Sequence, residues 1–320
     1  MKKRAVTWII IAVILVIIGS ATVAAAMFFN KWDFSGISSA EYETNTHELS
    51  ESFTDISVNT YTANILFVPS EDGKCRVECY EKTNLKHTVS ISGGKLSINA
   101  EDETKWYDNI GDFSEDYITI YLPESQYVSL FINSNTSDIE IPKDFGFQNI
   151  DISLSTGDVK NYASASDRIS IETTTGLIYM ENVSTSAINL AVTTGDIFAD
   201  SVKCKGDINI IVSTGKVKLN DVRCTSLISN GNTGDIFLEN VIAEKMFSVE
   251  RSTGDIILNK SDAEEIFVTT DTGDVKGSLL NEKVFIISTD TGDVNVPGSV
   301  NGGRCEITTD TGDINLSVRR

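Results

Sequence analysis

A Thr-Gly pair returns every 19 or 20 residues along the second half of this chain, in most copies followed by Asp and always with Val or Ile two places after the glycine. The glycines are Gly157, Gly176, Gly195, Gly215, Gly234, Gly254, Gly273, Gly292 and Gly312, and Ser137 holds the same place in an earlier copy. A period this short and this regular means that each copy is one small structural unit, unable to bury its apolar face until its neighbours stack on it.

Counting back from each glycine, the seventh residue runs Ile150, Ile169, Ile188, Ile208, Leu227, Phe247, Ile266, Phe285, Cys305, and the fifth is almost always aliphatic, Ser229 being the exception. This alternation predicts a strand with one buried face. The threonines Thr156 through Thr311, directly before the glycines, share that phase and are expected to turn inward. After the glycine the apolar positions are the second and fourth, such as Val159, Ile178 and Met180, so the inward phase changes parity across Gly-Asp. A strand does this only at a corner, which glycine permits by tolerating positive φ and Asp favours by bonding nearby amides. A second turn follows, with Val183, Val202, Val222 and Val241 and then a slot for small residues: Ser166, Cys204, Cys224, Ala243, Ala263. The predicted fold is all-β, a right-handed parallel β-solenoid of 19–20 residues per coil. A propeller needs blades of about 40 residues, and a hairpin sandwich needs a second turn as strongly marked as the first.

Before the repeats, Lys2, Lys3 and Arg4 precede an uncharged apolar run from Ala5 to Phe29, longer than the roughly 20 residues that cross a bilayer. It reads as an uncleaved transmembrane anchor with a cytoplasmic tail at 1–4, a helix at 5–29 and the rest of the chain outside the cell, the alternative being a signal peptide cleaved near Ala24-Ala25-Ala26, which the length of the run disfavours. Residues 30–50 read as a linker, 51–129 as an N-terminal β cap with opening coils, and 130–320 as the repeats. Within the cap, Thr62-Ala63-Asn64-Ile65 fits the corner place, and a hairpin over 87–99 turns at Gly93-Gly94. The last repeat ends at Leu316-Ser317-Val318 without a cap, an edge on which weak end-to-end self-association is expected.

The net charge is −20, and the three basic residues of the tail fall on the cytoplasmic side of the predicted anchor, so nucleic acid is not an expected partner. Five cysteines cannot all pair within one chain. Cys204 and Cys224, one repeat apart, fall within disulfide reach, although a small-residue slot explains them more simply. No nucleophile elbow, P-loop or zinc spacing is present, and His47 and His87 read as incidental exposed residues. The corner aspartates Asp235, Asp255, Asp274, Asp293 and Asp313 would stack about one strand spacing apart, where backbone amides can offset their repulsion. The last three repeats double the acid to Asp-Thr-Gly-Asp. Asp271, Asp274, Asp290, Asp293, Asp310 and Asp313 thus form a candidate Ca²⁺ row; no other cofactor is expected.

The opening Phe53-Thr54-Asp55-Ile56 with Thr62-Ala63-Asn64-Ile65, the hairpin ending Gly94-Lys95-Leu96-Ser97-Ile98 and the serial Thr-Gly-Asp units resemble the bacterial adhesin-type β-strand-repeat family, a domain of unknown function. Membrane-anchored LiaG-like proteins of Gram-positive envelope-stress operons are similar in layout. The resemblance spans roughly residues 50–320 and implies a cell-envelope location and a non-enzymatic binding or scaffold role. The implied partners are the membrane, through the N-terminal helix, and an envelope protein or glycan. The alternative is an enzyme acting on wall polysaccharide, which an aromatic groove with clustered carboxylates away from the Gly-Asp corners would favour. Trp106 and Tyr107 are the aromatics that suggest a sugar platform.

Overall fold

The computed structural model describes residues 41–101 and 116–318, with Val16 and Gly19. Apart from those two residues, the stretch expected to span a membrane, 5–29, lies outside them, as do Trp106 and Tyr107. Among the described residues no helix is long and apolar enough to cross a membrane. Among the described residues from Tyr42 onward every regular element is a strand.

The strands form two sheets, and one repeat contributes one strand to each. Strands before the glycines, such as Gly146–Thr156, Ser164–Thr175 and Ala187–Thr194, build one sheet. Strands after them, such as Val159–Asn161, Ile178–Glu181 and Ile197–Asp200, build the other. All pairings between repeats are parallel, giving a β-solenoid of about ten turns. The register follows the sequence period. Ile150 pairs with Ile169, Ile169 with Ile188, and Ile188 with Ile208, while Val159 pairs with Ile178 and Ile178 with Ile197. These columns are buried, each aliphatic side chain contributing about 1.5–3 kcal/mol relative to exposure.

The threonines before the glycines do not turn inward: Thr156, Thr175, Thr194 and their equivalents through Thr311 are exposed. The chain has already begun its corner there, and the third inward column lies two residues earlier, at Leu154, Thr173, Val192, Val212, Arg251 and Thr270. Threonines in this column reach the glycine carbonyl of the adjacent coil, as Thr309 Oγ1 does to Gly273 O at 3.2 Å. Arg251, 1% exposed, fits because Ser229 and Gly231 of the preceding coil are small. Its Nη2 donates to Ser229 Oγ at 3.2 Å and Nη1 to Glu250 O at 2.9 Å; burial lowers its pKa to about 10. Ser166 is likewise exposed, and Ala165 fills the small-residue slot in its coil.

At the corner two constraints converge. The repeat glycines have φ between +128° and +157°, and a Cβ on any of them would lie 1.8–2.3 Å from the backbone carbonyl oxygen of the corner residue in the coil beside it. The glycines therefore serve close stacking as well as backbone freedom. The second corner has a left-handed residue of its own: Asn182, Ser201, Asp221, Asn240 and Lys260, with φ of 48–57°. Its variable identity hides a constant conformation.

Both ends of the stack depart from chain order. The first coil, Asp55–Thr60 with Asn64–Pro69, lies between the coil of Gln126–Thr136 and an outer one built from Lys95–Ala100 and Tyr117–Leu122. Two antiparallel strands, Cys75–Lys82 and His87–Ser92, cover that outer coil. Gly93 and Gly94, at φ +62° and +79°, make the hairpin turn. Tyr42–Leu49, within the segment expected to be a linker, is an edge strand beside Cys75–Lys82. At the other end, the last repeat in sequence, Gly303–Thr311 with Ile314–Val318, inserts next to Glu265–Thr272 and Val275–Leu279. The repeat before it, Lys283–Thr291 with Val294–Asn295, is pushed outside. The open C-terminal edge is therefore 283–295, not Leu316–Val318.

Candidate functional site

The corner aspartates form a hydrogen-bonded ladder. Each Oδ1 accepts the backbone N–H of the corner residue in the next coil: Asp255 N to Asp235 at 3.0 Å, Asp274 N to Asp255 at 2.9 Å, Asp313 N to Asp274 at 2.7 Å and Asp293 N to Asp313 at 2.9 Å. The same geometry begins the column, where Asp138 N donates to Asn64 Oδ1 at 2.8 Å. Amide donors thus offset the stacked charge. Asp274 is also held below the usual carboxylate range by a hydrogen bond from Lys276, with the Asp313 amide adding to it. Because the last repeat inserts, the spatial order of the Ca²⁺ candidates is Asp274, Asp313, Asp293 in the column and Asp271, Asp310, Asp290 in the flanking row. The flanking three are exposed.

Among the described residues, three potential metal-ligating atoms come within 4.8 Å of one another elsewhere, at Cys79, Glu81 and His87 in the cap. Strand Cys75–Lys82 alternates inward through Cys75, Val77, Cys79 and Glu81, which carries an acid into the core. That acid is fully engaged. Glu81 Oε2 accepts from the His87 backbone N–H at 2.8 Å and from His87 Nδ1 at 2.6 Å, and Oε1 accepts from Asn45 Nδ2 at 2.8 Å. Burial works to raise the Glu81 pKa, but these donors outweigh it and hold the carboxyl below its usual range. On the other side of the ring, His87 Nε2 and the Thr60 hydroxyl are hydrogen-bonded at 2.8 Å. The order hydroxyl, imidazole, carboxylate is that of a proton relay. Every member is buried or half-buried, and the described cavities lie elsewhere, so the network joins three strands of the cap rather than facing a substrate. His87 is not the incidental residue expected; the signal was Glu81, an acid in the apolar phase of a strand, which demands partners.

A groove of about 1080 Å³ lies at the same end of the molecule. Its lining includes Ser70, Glu71, Asp72 and Lys74 of one turn together with Phe53, Tyr121 and Arg76. Arg76 lies over the Tyr121 ring at 4.1 Å and pairs with Glu78 at 3.1 Å, and Phe53 stacks on Tyr127 at 6.0 Å between centroids. Hydrogen bonds from Ser70 and from the Lys74 amide hold Asp72 below the usual carboxylate range. The sequence did not mark this site, because its residues are scattered over 48–127 and only folding gathers them.

All five cysteines, Cys204 and Cys224 included, are free and buried. Burial pushes Cys75, Cys79, Cys224 and Cys305 up to about 12 and raises Cys204.

A parallel solenoid with stacked glycine corners and a capped end defines a class of structural repeat proteins. Residues 53–211 and 203–320 match the Toastrack DUF4097 family in two successive stretches, and the chain belongs to that family. Among solved structures it is similar to a candidate adhesin from Bacteroides fragilis (14% identity, 87% of this chain and 97% of that one, TM-score 0.36). A candidate lipid-binding protein from Parabacteroides distasonis matches at 12% identity over 87% and 97%, TM-score 0.43. A candidate cell-adhesion protein from Clostridium sporogenes matches at 12% over 87% and 100%, TM-score 0.23. No curated protein matches the chain.

Proposed function

We propose that this chain is a non-enzymatic binding and scaffold protein of the cell surface, held to the membrane by its N-terminal apolar segment and recognising an envelope glycan or protein through the cap groove. The observation that carries this reading is the groove itself: aromatic rings, a guanidinium and exposed carboxylates line one open cleft at a capped end, while the long faces present small polar side chains such as Ser153 and Ser155 and asparagine pairs such as Asn189–Asn209. Aromatic and planar polar groups together suit sugar rings and peptide termini alike. The grouping with membrane-anchored LiaG-like envelope proteins belongs to this proposal and rests on layout alone. So does the Ca²⁺ row, for which the exposed carboxylates of Asp271, Asp310 and Asp290 offer the oxygen ligands; a rise in melting temperature on adding Ca²⁺ would support it and an unchanged one would remove it.

The rival reading, an enzyme acting on wall polysaccharide, is favoured by the same groove, since it sets carboxylates near aromatics away from the Gly-Asp corners. Against it, a general acid needs a raised pKa, and Asp72 is shifted the other way. The test incubates the full chain with purified cell wall. Sedimentation with the wall that is lost in Arg76→Ala, without release of reducing ends, supports the binding protein; release of reducing ends supports the enzyme; no sedimentation rejects the glycan reading.

A further inference from the structure

The two ends of the solenoid are protected unequally. At the N-terminal end one sheet stops at His87–Ser92, which carries no carboxylate, lysine or arginine, and the other at Tyr42–Leu49, which carries Glu43 and Glu48, Glu43 pairing with Lys86 at 2.5 Å. Charges on an edge strand disfavour further pairing. At the C-terminal end the outer strand Lys283–Thr291 has no charged residue between its first position and Asp290. Its one lysine offers no protection, because Lys283 points inward and is buried against Asp262 at 2.6 Å. The open end shows at Val294, which is 48% exposed although it continues a column buried at Val275 and Ile314; Val284 and Ile286 are exposed on the outer face of the sheet. Phe285, Ile287 and Val296 pack on the core from one side only. At this end each sheet stops at a strand with one edge open, and among the described residues none covers the apolar space between them.

We propose that this end is a dimer interface whose occupant is a second copy of the same end, related by a two-fold axis across the strands. A partner that closes both sheets at once must present two strand edges at the same separation, and a second copy does so by construction. Antiparallel pairing centred on Ile287, the middle of 283–291, brings Asp290 opposite the partner's Val284 and carries the Asp293 corners to opposite ends of the contact. Head-to-tail stacking would instead bring Asp293, beside Val294–Asn295, against the edge of the same sheet that bears Glu43 and Glu48. The two-fold contact is self-complementary and closes after two chains, whereas head-to-tail contact would propagate into a filament.

The experiment uses the full chain in detergent micelles. Sedimentation should give a concentration-dependent dimer whose dissociation constant rises by about tenfold or more in Val294→Lys, because the change puts a charge in the inward column where the interface closes and leaves it in solvent in the monomer. Glu48→Lys, at the opposite end, should leave the dimer unchanged. A thiol placed at exposed Ser288 should join one chain to one other through a short thiol-specific crosslinker, and stop there. A monomer at all concentrations, a ladder of higher oligomers, or a dimer indifferent to Val294→Lys would each overturn the proposal.

Discussion

Lys283, on the outermost coil, places its ammonium 2.6 Å from the Asp262 carboxylate across the coil that begins at Gly303, and both side chains are buried. Gly303 is opposite Lys283 in the pairing and has no side chain to block the path; a Cβ there would lie 1.8 Å from Glu264 O. Asp262 Oδ2 accepts the amides of Leu280 and Asn281 as well, at 3.0 and 2.6 Å. This contact pins the turn from which the chain leaves for the outer coil. Removing one partner of a buried pair strands the other, so Lys283→Met should cost about 3–5 kcal/mol. Combining it with Asp262→Asn should recover most of that loss, as read from chemical unfolding in a double-mutant cycle.

Gly195→Ala tests the corner. At φ +139° an alanine is strained, and its Cβ would sit 1.9 Å from Gly176 O, a backbone atom that cannot swing away. The loss should exceed about 3 kcal/mol. The left-handed second corner predicts the reverse sign at Lys260, where Lys260→Asn should gain about 0.5–1 kcal/mol because Asn adopts φ 48° more readily than Lys. Thermal unfolding of both variants measures the contrast.

Asp255 separates ladder geometry from charge. Asp255→Ala removes the acceptor for the Asp274 amide and should cost about 1–2 kcal/mol. Asp255→Asn keeps an acceptor oxygen, as Asn64 does at the head of the column, and removes one of a row of like charges. It should match or exceed the parent chain in stability, most visibly at low salt.

The cap network predicts acid sensitivity. The folded-state pKa of Glu81 lies below its ordinary value of 4.5, so the stability it contributes is complete above that value and is lost as pH falls through the folded pKa. Asp72 and Asp274 are depressed in the same direction and act in the same window. Melting temperature should hold steady near neutrality and fall below about pH 4, with a shallower fall in Glu81→Gln, which starts less stable.

The buried thiols should be inert. At pH 8 in the native state none of the five should react with a thiol reagent, and all five should react in denaturant. Two fewer in denaturant without reductant would mean that Cys204 and Cys224 had paired.

Much of this architecture was legible because one rule is repeated. The inward columns through Ile150 and Ile152, and the parity change at each glycine, needed only counting. What escaped was encoded once. The threonines share the phase of the buried column, but the corner begins at them, and no period marks where a strand stops. The second corner is conformationally constant and chemically varied, so Asn182, Ser201 and Lys260 do not announce a common φ. The exchange of the last two coils was invisible because their repeats, Thr289-Asp290-Thr291-Gly292 and Thr309-Asp310-Thr311-Gly312, match in pattern; Lys283, Asp262 and Gly303 distinguish them only after folding. The candidate groove was hidden for the opposite reason, since its residues have no period.

The exchanged coils also set a condition on synthesis. From Gln126 a growing chain can stack coils in order as far as Leu279, but Lys283–Asn295 then has no finished neighbour until residues 303–318 arrive and slip in between. A stop anywhere in the final coil therefore leaves two turns without a place instead of one. The segment made after the outer coil is the wedge that separates it from the rest of the stack.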